Sequence, residues 1–387
     1  MRRFTGIFTL LAFLSLLFGI GLLAGLWAID IHKVSYNSHP RDNAATSQAG
    51  QSQEPRVGVG SSAHSISAHV SAAPVADRIS DEEAKDLAYR AASDEQQALQ
   101  TLQNGVAANE PAAEYGLGLY YKTRASVLLP PPGRCIPTMA WVAAHGSPAD
   151  RREFSNLREV MREHPDKVRA EELCSQATSW LERAASARDP AAQSELGKDF
   201  YGETLQVFLL TSSLDEGDPN ESEEIRNFWD SARPSCKEAL RWLRAATAAR
   251  ETSAEETLAM AYALGICVGK SQATADSWWQ SAVQDGSAVA GAMLAGEYRN
   301  AGEFTKARAY FEKAERDAKG DPNALSSLSV YFHDWDADNE KYWADRSDQA
   351  EAAQEQKYPV LKLIHEKTKQ QLFPGASPEM SPDTGDE

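Results

Sequence analysis

Five times along this chain an alanine is followed four residues later by a leucine, then at once by a small residue, and three residues further by an aromatic. The copies are Ala113/Leu117/Gly118/Tyr121, Ala192/Leu196/Gly197/Phe200, Ala254/Leu258/Ala259/Tyr262, Ala290/Leu294/Ala295/Tyr298 and Ala324/Leu328/Ser329/Phe332. Positions i, i+4 and i+8 share one stripe of an α-helix, so each copy predicts an amphipathic helix, A. Before each stands a second pattern, helix B, built on Ala98/Leu102, Ala177/Trp180/Leu181, Ala239/Trp242/Leu243, Ala275/Trp278/Trp279 and Ala307/Tyr310/Phe311. The alanine of B precedes the alanine of the next A by 15 residues in four copies and by 17 in the fifth. A register held that tightly limits the chain to a stack of helical hairpins, because no single hairpin can bury its own apolar stripe. Alanine and glycine mark the close helix approaches, and Trp, Tyr and Phe fill the spaces between successive hairpins.

The segments 113 to 121, 259 to 270 and 306 to 314 resemble Sel-1-like repeats, relatives of the tetratricopeptide repeat. The resemblance covers about residues 95 to 335. It implies an all-α fold, a right-handed solenoid of helical hairpins, whose repeat residues are structural. It also implies the roles of adaptor, regulator or assembly factor for protein complexes rather than a chemistry. The spacing departs from the family pattern: the last A helices start 36 and 34 residues apart, but the first intervals are 79 and 62. Since the B-to-A distance is kept, the surplus is expected between A and B, at about 123–172 and 203–234 within a repeat domain spanning 80–373. Equivalent connections leave a hairpin stack on one edge, so the two insertions should lie side by side.

Ahead of the repeats, Met1-Arg2-Arg3 precedes 25 residues without a formal charge, Phe4 to Ala28. At about 1.5 Å per residue such a run spans ~38 Å as a helix, enough to cross a hydrocarbon core with some tilt. A removed signal peptide is the alternative, but its apolar run is usually shorter, and a leucine stands at the first small position of each candidate site, Leu22-Leu23-Ala24 and Leu26-Trp27-Ala28. Residues 4–28 are therefore read as a transmembrane anchor, and the positive bias of Arg2 and Arg3 over Lys33 keeps residues 1–3 cytoplasmic. Gly21 and Gly25 have the small-xxx-small spacing through which two such helices could form a homodimer, although glycines are common in membrane helices. Residues 29–79 hold no Leu, Phe, Trp, Met or Cys and read as a disordered linker, as does the acidic tail 374–387.

Thirty-nine Lys and Arg against 56 Asp and Glu leave a net charge of −17, with no clustered positive surface for phosphates, which argues against nucleic acid. The motifs for chemistry fail on inspection. Gly265 to Lys270 has three residues between its glycines where a phosphate loop needs four, and it follows a helix. Asp218, Asn220 and Ser222 begin like a calcium loop, but Glu223 and Trp229 occupy the positions of the required Gly and bidentate acid. The eight histidines contain no His-x3-His pair, and the acids beside His333 read as a polar helix end. No catalytic residue, cofactor or metal ligand is assigned, and the chain is read as non-enzymatic.

Cys174 and Cys236 share a register, three residues before Ala177 and Ala239 at the start of their B helices. Cys135 lies in the insertion leading to the first, and Cys267 ends the A helix following the second. Antiparallel neighbours bring the end of A beside the start of B, so the expected pairs are Cys135 to Cys174 and Cys236 to Cys267, with four buried free thiols as the alternative.

Apolar runs that the register does not use, Val127-Leu128-Leu129, Met139-Ala140-Trp141, Val207 to Leu210 and Phe228-Trp229, fall in the insertions. They either pack onto the solenoid or leave Trp141, Phe208 and Trp229 as anchors for a partner protein between acidic rims. The chain as a whole reads as a bacterial inner-membrane protein with its repeats in the periplasm, binding another protein as an adaptor or scaffold. Two rival roles stay open: an immunity protein against a secreted toxin such as a type VI secretion phospholipase, and an envelope assembly or regulatory factor.

Overall fold

The computed structural model describes residues 78–128, 135, 165–211, 219–333 and 335–372. The expected anchor, the linker up to residue 77, the tail and Trp141 lie outside them. The described chain is all helical. The helices are α1 Asp81–Ala92, α2 Gln96–Ala107, α3 Pro111–Leu128, α4 Pro165–Ser186, α5 Pro190–Thr211, α6 Pro219–Thr247 and α7 Thr252–Leu264. They continue as α8 Gln272–Gln284, α9 Ala288–Asn300, α10 Phe304–Ala318, α11 Pro322–Phe332, α12 Ala337–Lys357 and α13 Pro359–Leu372. No helix among the described residues is long and apolar enough to cross a membrane.

The five A patterns fall on α3, α5, α7, α9 and α11, and the five B patterns on α2, α4, α6, α8 and α10. Their register leucines, Leu117, Leu196, Leu258, Leu294 and Leu328, are all buried, as are the register alanines of both helices. The aromatic position behaves differently: Phe200 is enclosed, whereas Tyr121, Tyr262, Tyr298 and Phe332 are half-buried at the boundary between hairpins. Apolar contacts divide into successive clusters along the stack, as expected when each hairpin buries its stripe against its neighbours.

The constant B-to-A spacing has a backbone cause. Asn109, Arg188, Arg250, Gly286 and Gly320 each stand four residues before the alanine of A, and each has a left-handed φ, between 60° and 96°. In four of these turns the next residue donates its N–H to a carbonyl five residues back: Glu110 to Gly105, Asp189 to Ala184, Glu251 to Ala246 and Ser287 to Ala282. That bond closes the end of B, and the A helix starts at once. Three A helices open on proline, at Pro111, Pro190 and Pro322, where the missing N–H costs nothing. Asp189, Ser287 and Asp321 cap the first turn by accepting from Ala192, Ala290 and Ala324 N–H at 2.8, 2.9 and 3.0 Å. The fifth turn differs, with both Lys319 and Gly320 left-handed, and it serves the copy whose spacing is 17.

Two features lie outside the sequence pattern. The second insertion is largely helix: α5 runs to Thr211 and α6 starts at Pro219, so only 212–218 separate them. At about 1.5 Å per residue α6 is ~44 Å long against ~20 Å for α7, so this hairpin extends well past the next one. Likewise α3 and α4 absorb 123–128 and 165–172 of the first insertion. Second, the stack is longer than five copies. Helix α1 packs beside α3 as a further A helix, and α12 pairs with α11. Helix α13 then returns to α1 and α3, where Val360 and Ile364 are buried with Ala92 against Tyr120 and Val127. Val127, the start of one spare apolar run, is thereby covered by the C-terminal helix.

Candidate interaction surface

The structure joins Cys135 to Cys174 and Cys236 to Cys267, with Cα separations of 4.9 and 5.0 Å. These are the pairs expected from the register, and no described cysteine is free. The second bridge ties α6 to the turn after α7, where Cys267 itself has a left-handed φ of 64°. That turn contains the sequence with phosphate-loop character. Gly265 ends α7 with a φ of 79° and Ile266 is fully buried beneath it, so the segment serves as a helix connection. Asn220 to Trp229 lie within α6, which removes the calcium-loop geometry.

Of the expected partner anchors, Phe208 and Trp229 face each other across the long α5/α6 hairpin. Their rings meet edge to face at 6.5 Å, and both are half-buried against the N-terminal core. Tryptophan and phenylalanine held this way brace the hairpin arm and are not left bare on an exposed patch.

A charged seam crosses consecutive A helices. Lys122 of α3 donates to Glu195 Oε1 at 2.6 Å and also to Asp199, both on α5, and Lys198 reaches Glu195 Oε2 at 2.8 Å. Ser194 meets Ser253 at 2.7 Å, Ser253 donates to Glu251, and Ser287 donates to Glu256. Burial opposes the charge on Glu195, but Lys122 and Lys198 on either side outweigh it and hold the carboxyl well below the usual range. Burial and the Glu195 charge push Asp199 up to about 6, against the pull of Lys122. Glu256 is pushed up to about 7 by burial, with Glu251 and Asp321 adding to it and Ser287 and Lys198 opposing. The cations and acids of this seam answer one another across hairpins, so its chemistry is that of a joint between repeats.

Among the described residues, exposed aromatic side chains lie toward the C-terminal end of the stack, Phe304 at the start of α10 with 62% exposure among them. Trp335 is 58% exposed and Tyr342 52% exposed. Trp335 stacks on Phe332 at 6.2 Å, and Tyr342 meets buried Trp343 edge to face at 5.1 Å. Arg299 lies 5.8 Å from the Trp335 ring and 5.3 Å from Tyr331, while Arg346 lies 5.7 Å from Tyr342 and 4.9 Å from Trp343. Aromatic rings and arginines of this kind, rigid beneath and exposed above, dominate the energetic centres of protein interfaces. The five-copy register did not point here, because Trp335 falls just past its last aromatic and Tyr342 lies in a polar helix.

No protein-family model matches the chain, and no curated protein does. Among solved structures the chain is similar to a Sel1 repeat protein from Oxalobacter formigenes, at 21% identity over 70% of this chain and 100% of that one, with a TM-score of 0.33. It is also similar to a protective antigen of uropathogenic Escherichia coli displaying an SLR fold, at 15% identity, 71% and 64% coverage and a TM-score of 0.25.

Proposed function

We propose that this chain is a non-enzymatic protein-binding scaffold of Sel-1-like type. In this reading residues 4–28 hold it at a bacterial inner membrane and its repeats stand in the periplasm. The exposed Trp335 and Tyr342, flanked by Arg299 and Arg346, carry the binding proposal, because large aromatics on a rigid base lose little conformational freedom when a partner covers them. Two closed disulfides support the exported placement, since such bridges persist in oxidising compartments.

The test of binding replaces Trp335 and Tyr342 with Ala together and measures both the melting temperature and partner capture from membranes. Capture should fall at least tenfold while the melt stays within a few degrees; undiminished capture refutes this surface. A secreted phospholipase as the captured partner would assign the antidote role, an envelope protein the adaptor role. For topology, alkaline phosphatase fused after Glu387 should be active in a bacterial host, and an inactive, stably expressed fusion refutes the periplasmic placement.

A further inference from the structure

Helices α12 and α13 meet at the Tyr358-Pro359 corner, and three ligand-type side chains from the two helices converge beside it. Glu351 and Glu355 are one turn apart on α12, and His365 comes from α13. One donor atom from each lies within 4.8 Å of the other two. His365 Nδ1 is 2.7 Å from Glu355 Oε1 and 3.5 Å from Glu351 Oε1. All three side chains are only 18 to 19% exposed.

We propose that Glu351, Glu355 and His365 form a divalent-cation site, with zinc the ion of choice, that staples α13 to α12. Two carboxylates four residues apart on one helix face repel each other, and here the His365 imidazole lies against both. A divalent ion removes the repulsion and uses the imidazole as the third ligand. Carboxylate and imidazole together suit zinc, at metal–ligand lengths of about 2.0 to 2.2 Å. A tetrahedral ion of that size holds its donors about 3.4 Å apart, within the range that the three groups already span. The fourth position is open to water.

The site's place in the fold indicates its use. Helix α13 packs onto α1 and α3 through Val360 and Ile364, so an ion joining α12 to α13 would brace the contact between the two ends of the repeat stack. No sequence motif marks the site, because its ligands belong to two helices and include no His-x3-His pair.

The experiment is equilibrium dialysis of the full chain against zinc chloride, with a Glu351→Gln/Glu355→Gln variant and a His365→Ala variant beside the native protein. The chain's other histidines, four of which fall between residues 32 and 69, can also take up zinc, so the reading is the difference between proteins. Native protein should bind one equivalent more than either variant, and zinc should raise the melting temperature of the native protein alone. His333→Ala, which removes a histidine paired with Glu340 elsewhere, should leave both readings unchanged. As a second measurement independent of stability, cobalt should give visible d–d bands in the native protein that either ligand variant loses. Equal zinc uptake by native protein and both variants, or no uptake, overturns the proposal and leaves a plain half-buried ion pair.

Discussion

Tyr358 donates its phenolic hydrogen bond to Asp86 at 2.6 Å, joining residues 272 positions apart in the chain. Lys357 lies 2.7 Å from the same carboxylate oxygen, and the rings of Tyr358 and Tyr89 are 5.3 Å apart. Next to them, Val360 N–H donates to Ser93 Oγ at 3.3 Å, and Lys367 Nζ donates to the Val127 carbonyl at 2.7 Å. The last described helix thus covers the first repeats, and its Val360 and Ile364 shield an apolar face that the N-terminal hairpins would otherwise leave bare.

Asp86 marks the strength of this closure. Burial opposes its charge, but Lys357, Tyr358 and Arg90 outweigh it and hold the carboxyl at about 2. A depressed acid contributes stability that is complete above its unfolded value near 4 and is lost as pH falls from there toward 2. The side chain is 28% exposed, so Asp86→Asn should cost about 1 kcal/mol at neutral pH. Hydrogen exchange should quicken across 359–372 in that variant and in Tyr358→Phe, with α7 to α9 unchanged. Uniform quickening would show that the end contact is not a separable unit.

Glycine 118 and glycine 197 occupy the same register slot, and a methyl group at either would stand 2.7 Å from the Cγ and Cδ2 of a B-helix leucine, Leu181 or Leu243. These atoms are close to the leucine backbone and have little room to yield. Substitution to Ala at either site should therefore cost about 1–3 kcal/mol by overpacking, although Ala is the better helix former by about 1 kcal/mol. Gly296, in α9, is the control: nothing lies within 4 Å of its added methyl, so Gly296→Ala should gain up to about 1 kcal/mol. Urea melts of the three variants decide the point.

The repeat register was legible because one backbone device, the left-handed residue four before each A alanine, recurs in all five turns and keeps the spacing at 15 in four of them, leaving the alanines and leucines in phase. The terminal helices were not legible, for local reasons. In α1 Leu87 and Ala88 fit the A pattern, but Glu83 occupies the alanine slot and Ala91 the aromatic slot. Helix α12 is polar apart from Tyr342, Trp343 and scattered alanines, and α13 finds its partner in the N-terminal repeats, which no local pattern encodes. Within the insertions, spacing alone cannot distinguish a loop from a lengthened helix. Phe208 and Trp229 were visible as aromatics outside the register, but their packing against each other appears only once α5 and α6 are known to be long.

The bridge between Cys236 and Cys267 closes a loop of 31 residues, and that between Cys135 and Cys174 one of 39. Loops of this size correspond to ~3 to 4 kcal/mol each if the stabilisation comes from restricting the unfolded chain. Protein purified without reductant should yield both linked peptides on mass spectrometry. Replacing Cys236 and Cys267 with Ala should lower the unfolding free energy by about that amount. Cross-linked peptides in any other pairing would refute the assignment.

Glu256 supplies the opposite limb of the pH profile. Its carboxyl sits in the seam between α7 and α9 and accepts from Ser287, and burial pushes it up to about 7. An acid raised from about 4.5 binds more protons in the folded state than in the unfolded one between those values, so stability falls as pH rises from 4.5 to 7 and stays low above it. Glu256→Gln keeps the shape, removes the half-buried charge and retains an acceptor for Ser287. The variant should be more stable than the native protein by about 1–3 kcal/mol at pH 8, and the gain should vanish near pH 4.5. Melts at pH 8 and pH 5 measure the difference directly. Should the gain be the same at both, the carboxyl is ionised throughout and the seam is better hydrated than its burial implies.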